Sequence, residues 1–225
     1  PYIDLTISVM NDFGAKIIRT GNHHYLVGTQ QIYAGRDYYV EGDASSASYF
    51  FLAAAVMKRT IRVNGISRFS AQGDIRLLDI IEQLGCRVES GPNYLEVTGR
   101  DLAAGELTLD LGDMPDMVPT VGVLAAFREG TTKIINVAHL RIKESNRLAA
   151  MVAQLNRIGI KASELPDGLI IEGGKPHGAD IETYNDHRIA MSFAVAGLVT
   201  PGIAIRDKKC VDKSFPEFWR ELEKI

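Results

Sequence analysis

An α+β fold of tandem units, each about 70 residues long, is what this sequence predicts, and three observations predict it. Phe13-Gly14-Ala15-Lys16-Ile17, Leu84-Gly85-Cys86-Arg87-Val88 and Ile158-Gly159-Ile160-Lys161-Ala162 share the order apolar, Gly, small or apolar, basic, apolar, with their glycines 71 and 74 residues apart. Asp43, Asp116 and Asp186 recur at intervals of 73 and 70 residues, each ahead of a run rich in Ala, Leu, Val, Phe or Met. Each run then reaches a turn and a β-type segment.

Residues 1 to about 30 hold only the back half of a unit: a helix, Gly14 as its closing residue, and a strand pair whose second member is His24-Tyr25-Leu26-Val27. After Asp43 come an apolar helix, Tyr49 to Met57, and the strand Thr60-Ile61-Arg62-Val63. Gly85 closes the next helix, and Tyr94-Leu95-Glu96-Val97 is the second strand after it. Asp116 opens the same series again: helix Val121 to Phe127, strand Thr132-Lys133-Ile134-Ile135, helix Leu148 to Ile158, and second strand Leu169-Ile170-Ile171-Glu172. Asp186 opens it a third time, with helix Ile189 to Leu198, strand Gly202-Ile203-Ala204-Ile205, and a final helix within Phe215 to Ile225. The unit is strand, Asp, buried helix, strand, second helix, strand, strand. Two mostly apolar helices per unit need cover, so helices are expected to be buried against sheet. A chain that starts and stops in mid-unit is expected to be a piece of something longer; degenerate terminal units are the alternative.

Composition narrows the function classes. At 225 residues, 46% hydrophobic and 24% charged, the chain has the make-up of an ordinary soluble globular protein of one or two domains. A net charge of −3 supplies no electrostatic reason to expect nucleic acid or an anionic membrane as partner. Cys86 and Cys210 stand far apart without metal-ligand spacing, which fits a reducing, cytoplasmic compartment. No apolar stretch approaches the length of a membrane span, and no signal-like region opens the sequence.

Four clusters carry the chemistry. In Arg141-Ile142-Lys143-Glu144-Ser145-Asn146-Arg147-Leu148, charged groups crowd the mouth of a helix. With Ser145 as its N-cap, free backbone N–H groups and two or three cations would suit a carboxylate or phosphate. A solvated, salt-bridged helix start reads from the same residues. Tyr184-Asn185-Asp186-His187-Arg188 again opens a buried helix; a cap accounts for Asp186 but not for Arg188. In Asp113-Met114-Pro115-Asp116-Met117-Val118-Pro119-Thr120, two prolines bracket an Asp, which is either an N-cap or a carboxylate aimed by a fixed backbone. Lys213, ahead of Phe215-Pro216, carries little by itself. The repeat raises them together. Helix starts at equivalent positions can share one side of the domain, so that Asp116, Lys143, Glu144, Arg147, Arg188 and Lys213 line a face for a small polyanion.

Glu41-Gly42-Asp43-Ala44-Ser45-Ser46-Ala47, Lys143-Glu144-Ser145-Asn146-Arg147-Leu148, Asn185-Asp186-His187-Arg188-Ile189-Ala190-Met191 and Lys213-Ser214-Phe215-Pro216 resemble, in order, the signatures of the EPSP synthase family. The resemblance covers essentially the whole chain, as the last half of that family's sequence or slightly more. The related UDP-N-acetylglucosamine enolpyruvyl transferase lacks the Lys-Glu-Ser-Asn/Asp-Arg run and differs at Asn-Asp-His-Arg.

The resemblance implies two globular domains of βαβαββ units, each like an inside-out α/β barrel, closing on substrate between them. Residues 1–38 would end the N-terminal enolpyruvyl transferase domain, and 39–225 would form the C-terminal one. By the same similarity Asp116 contacts the shikimate hydroxyls and accepts a proton, and Glu144 is the second acid-base group, acting at C3 of phosphoenolpyruvate. Lys143 and Tyr2 border shikimate 3-phosphate; His139 stands where some members have Asn. Arg147 and Arg188 resemble the clamp on the phosphoenolpyruvate carboxylate, and Lys213 the cation near its phosphate. Further substrate groups would lie on the missing N-terminal half. The implied reaction joins the enolpyruvyl group to the shikimate 5-hydroxyl and releases phosphate, with no metal or organic cofactor. The alternatives are a non-catalytic module of the same fold, binding a phosphorylated metabolite or partner domain, and a relative of the UDP-N-acetylglucosamine enzyme.

Overall fold

Gly14, Gly85 and Gly159 have φ of +90°, +97° and +83°, so each motif glycine ends a helix in the left-handed conformation that glycine adopts without penalty. The computed structural model describes residues 1–225. The middle unit is complete. It runs β6 (Leu107–Asp110), α4 (Val118–Ala126), β7 (Gly130–Ile135), α5 (Arg147–Arg157), β8 (Lys161–Leu165) and β9 (Gly168–Gly173). These strands form one sheet in the order β6-β7-β9-β8, with β6 parallel to β7 and the other pairs antiparallel.

The preceding unit keeps most of this plan. It has α2 (Ala44–Met57), β3 (Thr60–Asn64), α3 (Leu77–Gln83), β4 (Arg87–Gly91) and β5 (Tyr94–Thr98), in a sheet ordered β3-β5-β4. Strand β5 shows why it sits where it does: Leu95 and Val97 are buried, while Tyr94, Glu96 and Thr98 between them are half-exposed. The unit's expected first strand is missing. No strand forms between Gly28 and Asp43, because the backbone there does not pair with β3; near β3, only Gly42 N reaches Gly65 O. The last unit has a short parallel pair, β10 (Asp180–Ile181) and β11 (Ala204–Ile205), around α6 (His187–Gly197). The helix expected over Phe215 to Ile225 shrinks to α7 (Phe218–Leu222), since the chain is still turning at Phe215-Pro216 when Phe218 enters the core.

Helices α2, α4 and α6 pack on one another, and the two larger sheets wrap them. All nine residues of α4 are buried, as are nine of the eleven in α6, so neither helix has a solvent face and only an interior position satisfies them. Each fully buried Leu, Val or Phe there contributes roughly 1.5–3 kcal/mol. The α+β class with interior helices and exterior mixed sheets is therefore the observed one. Residues 2–27 are different in kind: α1 (Tyr2–Asp12) has no buried residue, and β1 (Ile17–Arg19) pairs only with β2 (Tyr25–Val27). Of the thirteen large apolar residues left exposed, ten lie within residues 2–40.

Candidate active site

The three repeated aspartates occupy equivalent places and do different things. Asp43 is an N-cap: its carboxylate accepts from Ser45 N and Ser46 N, and from Ser46 Oγ. Asp186 also caps, accepting from Arg188 N at 2.9 Å, but it is wholly buried and its other oxygen accepts from Arg147 Nε at 2.9 Å and Ser145 Oγ at 3.1 Å. Asp116 caps nothing. It sits in the 3-10 turn Pro115–Met117, where Pro115 and Pro119 hold the backbone, and its carboxylate points to side chains instead. Arg147 Nη1 donates to Oδ1 at 3.1 Å and Arg188 Nη2 to Oδ2 at 2.9 Å, while Lys143 Nζ stands 4.0 Å from Oδ1.

Arg147 is the hub. Its side chain is 0% exposed, and four of its five N–H donors are held by protein carboxylates. Besides Asp116 and Asp186 it donates to Glu144 Oε2 at 2.7 Å. Ser145 is not the cap expected from the sequence. Helix α5 begins at Arg147, capped by Asn146, whose Oδ1 reaches Ala149 N at 3.2 Å, because the Ser145 hydroxyl is drawn across to Asp186.

Arg188, on the first turn of α6, is mostly buried. Burial alone would press its guanidinium toward neutrality; Tyr49, Asp116, Asp74 and Asp43 outweigh that and hold it charged. Burial likewise pulls the Asp186 carboxyl upward, and the hydrogen bonds and charge of Arg147 more than reverse this, leaving it below the ordinary carboxylate range. His187 lies between Arg188 and Glu144, with Nδ1 3.9 Å from Glu144 Oε1, too far for a hydrogen bond, and no other partner. Burial, then Arg188, pushes this imidazole below its usual value, so it is neutral near pH 7.

Lys213 is exposed and donates to the Asn185 carbonyl at 3.1 Å. That carbonyl is offered by a turn in which both Tyr184 and Asn185 have φ of +55°; buried Gln154 braces the turn by donating to Tyr184 Oη and accepting from Glu182 N. Tyr2 Oη donates to Asp74 Oδ1 at 2.9 Å. His139, in the 3-10 turn Ala138–Ile142, is exposed and makes no side-chain hydrogen bond. The structure thus brings Asp116, Lys143, Glu144, Arg147 and Arg188 into one cluster, with Lys213 joined to its edge through the 184–186 turn.

Three participants escaped the sequence reading: His187 as a group in its own right, Ser145 as a ligand of Asp186, and Asp74. The first stood inside a motif already noted; Asp74, in Gly73-Asp74-Ile75-Arg76, offered no periodic or capping signal.

Chemically, four cations surround three carboxylates. Arg147 is spent on the protein's own acids, whereas Lys143, Lys213 and part of Arg188 remain available to an anion. Asp116 and Glu144 are partly exposed and can exchange protons; Asp186 is sealed. Two concavities of about 420 Å³ each lie elsewhere: one by Lys58, Arg100 and Phe127, the other by Leu198, Ile203 and Trp219. Within the cluster, the side chains of Lys143, Glu144 and Asp116 are partly exposed.

The family model for EPSP synthase (3-phosphoshikimate 1-carboxyvinyltransferase) matches residues 1–222. The 3-phosphoshikimate 1-carboxyvinyltransferases of Trichormus variabilis and Syntrophobacter fumaroxidans are 43% and 45% identical, each over 100% of this chain. The chain spans about half of their length, 52% and 53%. An EPSP synthase structure from Acinetobacter baumannii superposes with a TM-score of 0.80 at 30% identity, over 97% of this chain and 53% of that one. The enolpyruvyl transferase NikO from Streptomyces tendae shares the fold, with a TM-score of 0.76 at 20% identity, over 100% of this chain and 52% of that one. A family match over residues 1–222 of 225, with relatives more than 40% identical along the whole chain, places this protein in the EPSP synthase family.

Proposed function

We propose that this chain supplies the C-terminal share of the site at which the enolpyruvyl group of phosphoenolpyruvate is transferred to the 5-hydroxyl of shikimate 3-phosphate. The observation that carries the reading is Asp116. A carboxylate at a helix entrance would normally cap the helix, and this one is turned instead into a cluster of cations beside a second accessible carboxylate. A module that only bound an anion would gain nothing from two acids facing it. Transfer needs both: one group takes the proton of the attacking hydroxyl, and one adds a proton to C3 of the enol and later removes it as phosphate departs. Asp116 and Glu144 take these roles. Arg188 and Lys213 hold phosphoenolpyruvate; Lys143, His139 and Tyr2 border shikimate 3-phosphate. Arg147, which by resemblance would be the second prong of the phosphoenolpyruvate clamp, is buried and taken up by the protein's own carboxylates, so its part is to keep the two acids apart and oriented.

Residues 1–38 belong to a second domain in this reading, completed by chain outside 1–225. The exposed apolar side chains concentrated there are the surface such a domain would cover. The free, buried Cys86 and Cys210 fit a reducing compartment such as the cytoplasm, and no helix is long and apolar enough to cross a membrane.

The test is phosphate release from the two substrates. The complete protein turns over; residues 1–225 alone do not, and Asp116→Asn in the complete protein loses about 10²–10⁴-fold in turnover with substrate affinity nearly kept. Turnover close to wild type in Asp116→Asn removes Asp116 from the chemistry and returns the cluster to a binding role.

A further inference from the structure

Apart from the covalent connection, a single hydrogen bond ties residues 1–38 to the rest of the chain. Tyr2 Oη donates to Asp74 Oδ1 at 2.9 Å, across 72 residues of sequence; the other hydrogen bonds and ion pairs of residues 1–38 stay within that segment. The contact is built closely. A side chain at Gly73 would bring Cβ within 2.7 Å of Pro1 Cβ and 3.1 Å of the Asp113 carbonyl, so only glycine lets the start of the chain lie against this turn.

Asp74 is 5% exposed and uses both oxygens: Oδ1 accepts from Tyr2, and Oδ2 from Ser45 Oγ in the first turn of α2. Two residues earlier, Gln72 Oε1 accepts from Ala44 N at 2.7 Å and Nε2 donates to Gly42 O at 2.8 Å. Two residues later, Arg76 pairs with Asp113 at 3.2 Å, at the root of the turn that carries Asp116. The short segment 72–76 therefore links the start of α2, the Asp116 turn and Tyr2.

We propose that Asp74 is a positioning residue of the substrate site, fixing the Tyr2 ring, and the segment it belongs to, against the face formed by Asp116 and Arg188. The inference rests on the reading above, in which Tyr2 borders shikimate 3-phosphate. It adds a chemical constraint. The phenol proton is committed to Asp74, so Tyr2 offers its ring face and an oxygen lone pair; it accepts from a substrate hydroxyl and does not donate to a phosphate. Burial, then the Asp74 charge, pushes the Tyr2 phenol up, which keeps that proton in place.

The experiment compares KM for each substrate in the complete protein carrying Asp74→Ala, Asp74→Asn, Tyr2→Phe, or Tyr2→Phe with Asp74→Ala. Losing a hydrogen bond to a charged group typically costs about ten-fold or more. KM for shikimate 3-phosphate should rise about ten-fold in Asp74→Ala and in Tyr2→Phe, while that for phosphoenolpyruvate stays within about two-fold. Asp74→Asn, which still accepts from Tyr2, should recover most of the loss, and the double variant should be no worse than the single ones. Should Asp74→Ala not fold, Tyr2→Phe, which keeps the ring, carries the same expectation. Unchanged KM with a lowered melting temperature, equal losses for both substrates, or additive losses in the double variant would overturn the inference while leaving the activity standing. An unmutated protein that releases no phosphate overturns the reading beneath it, and the inference with it.

Discussion

Replacing Arg147 with alanine should destabilise this domain more than it reports on any ligand. The guanidinium makes four hydrogen bonds to three carboxylates, at 2.7 Å to Glu144, 2.9 and 3.3 Å to Asp186, and 3.1 Å to Asp116. Glu144 and Asp116 are partly exposed and would be re-solvated, so their share of the loss is small. Asp186 is completely buried and would keep only its cap contact to Arg188 N and the Ser145 hydroxyl. Breaking a buried pair from one side costs roughly 3–5 kcal/mol, because it strands the other charge. For a chain of this size 1 kcal/mol corresponds to about 2–4 °C, so the melting temperature should fall by about 6–20 °C. Arg147→Lys keeps the charge but not the fork and should fall in between. Arg188→Ala loses the side-chain hydrogen bond to the partly exposed Asp116, and should melt closer to wild type while weakening phosphoenolpyruvate binding roughly ten-fold. Calorimetric melting at pH 7.5 measures all three. An Arg147→Ala protein melting within about 2 °C of wild type would refute the hub and return Arg147 to a purely ligand-facing role.

Two further outcomes follow from the same site. Asp43→Ala should lower stability by about 1 kcal/mol through the lost cap, and Asp43→Asn should be nearly silent in both melting and turnover, since Asn caps as well as Asp; a large loss of turnover in Asp43→Asn would give that residue a chemical role. Acid should weaken the fold through His187. Its folded pKa lies below the ordinary 6.5, so the unfolded chain takes up the proton first, and stability falls as pH drops below about 6.5. Asp186, whose folded pKa is depressed, adds its loss only at lower pH, as the medium passes through that value. Melting temperatures from pH 7.5 to 5 should show the decline, and His187→Asn should flatten it; an unchanged slope would mean that His187 takes no part.

The repeat was legible because its signals are local. A glycine that must end a helix with positive φ, an Asp ahead of an apolar run, and alternation such as Tyr94 to Val97 each follow from the conformational preferences of a few neighbouring residues. The motif clusters were legible for the same reason, as short runs too charged for the buried helices they open. What neighbouring residues could not determine is which aspartate does what. Asp43, Asp116 and Asp186 look alike from either side; they diverge because Arg147 lies 31 residues beyond Asp116 and 39 before Asp186, and Arg188 lies 72 beyond Asp116. Their distances to the two arginines depend on how α4, α5 and α6 pack, which no local pattern carries. Asp74 was illegible for the same reason: a carboxylate in a 3-10 turn acquires meaning only when the fold sets Tyr2 and Ser45 against it. Side-chain period and capping chemistry write the elements into the sequence, whereas partners for buried charges are assigned only when desolvation and close packing bring distant segments together.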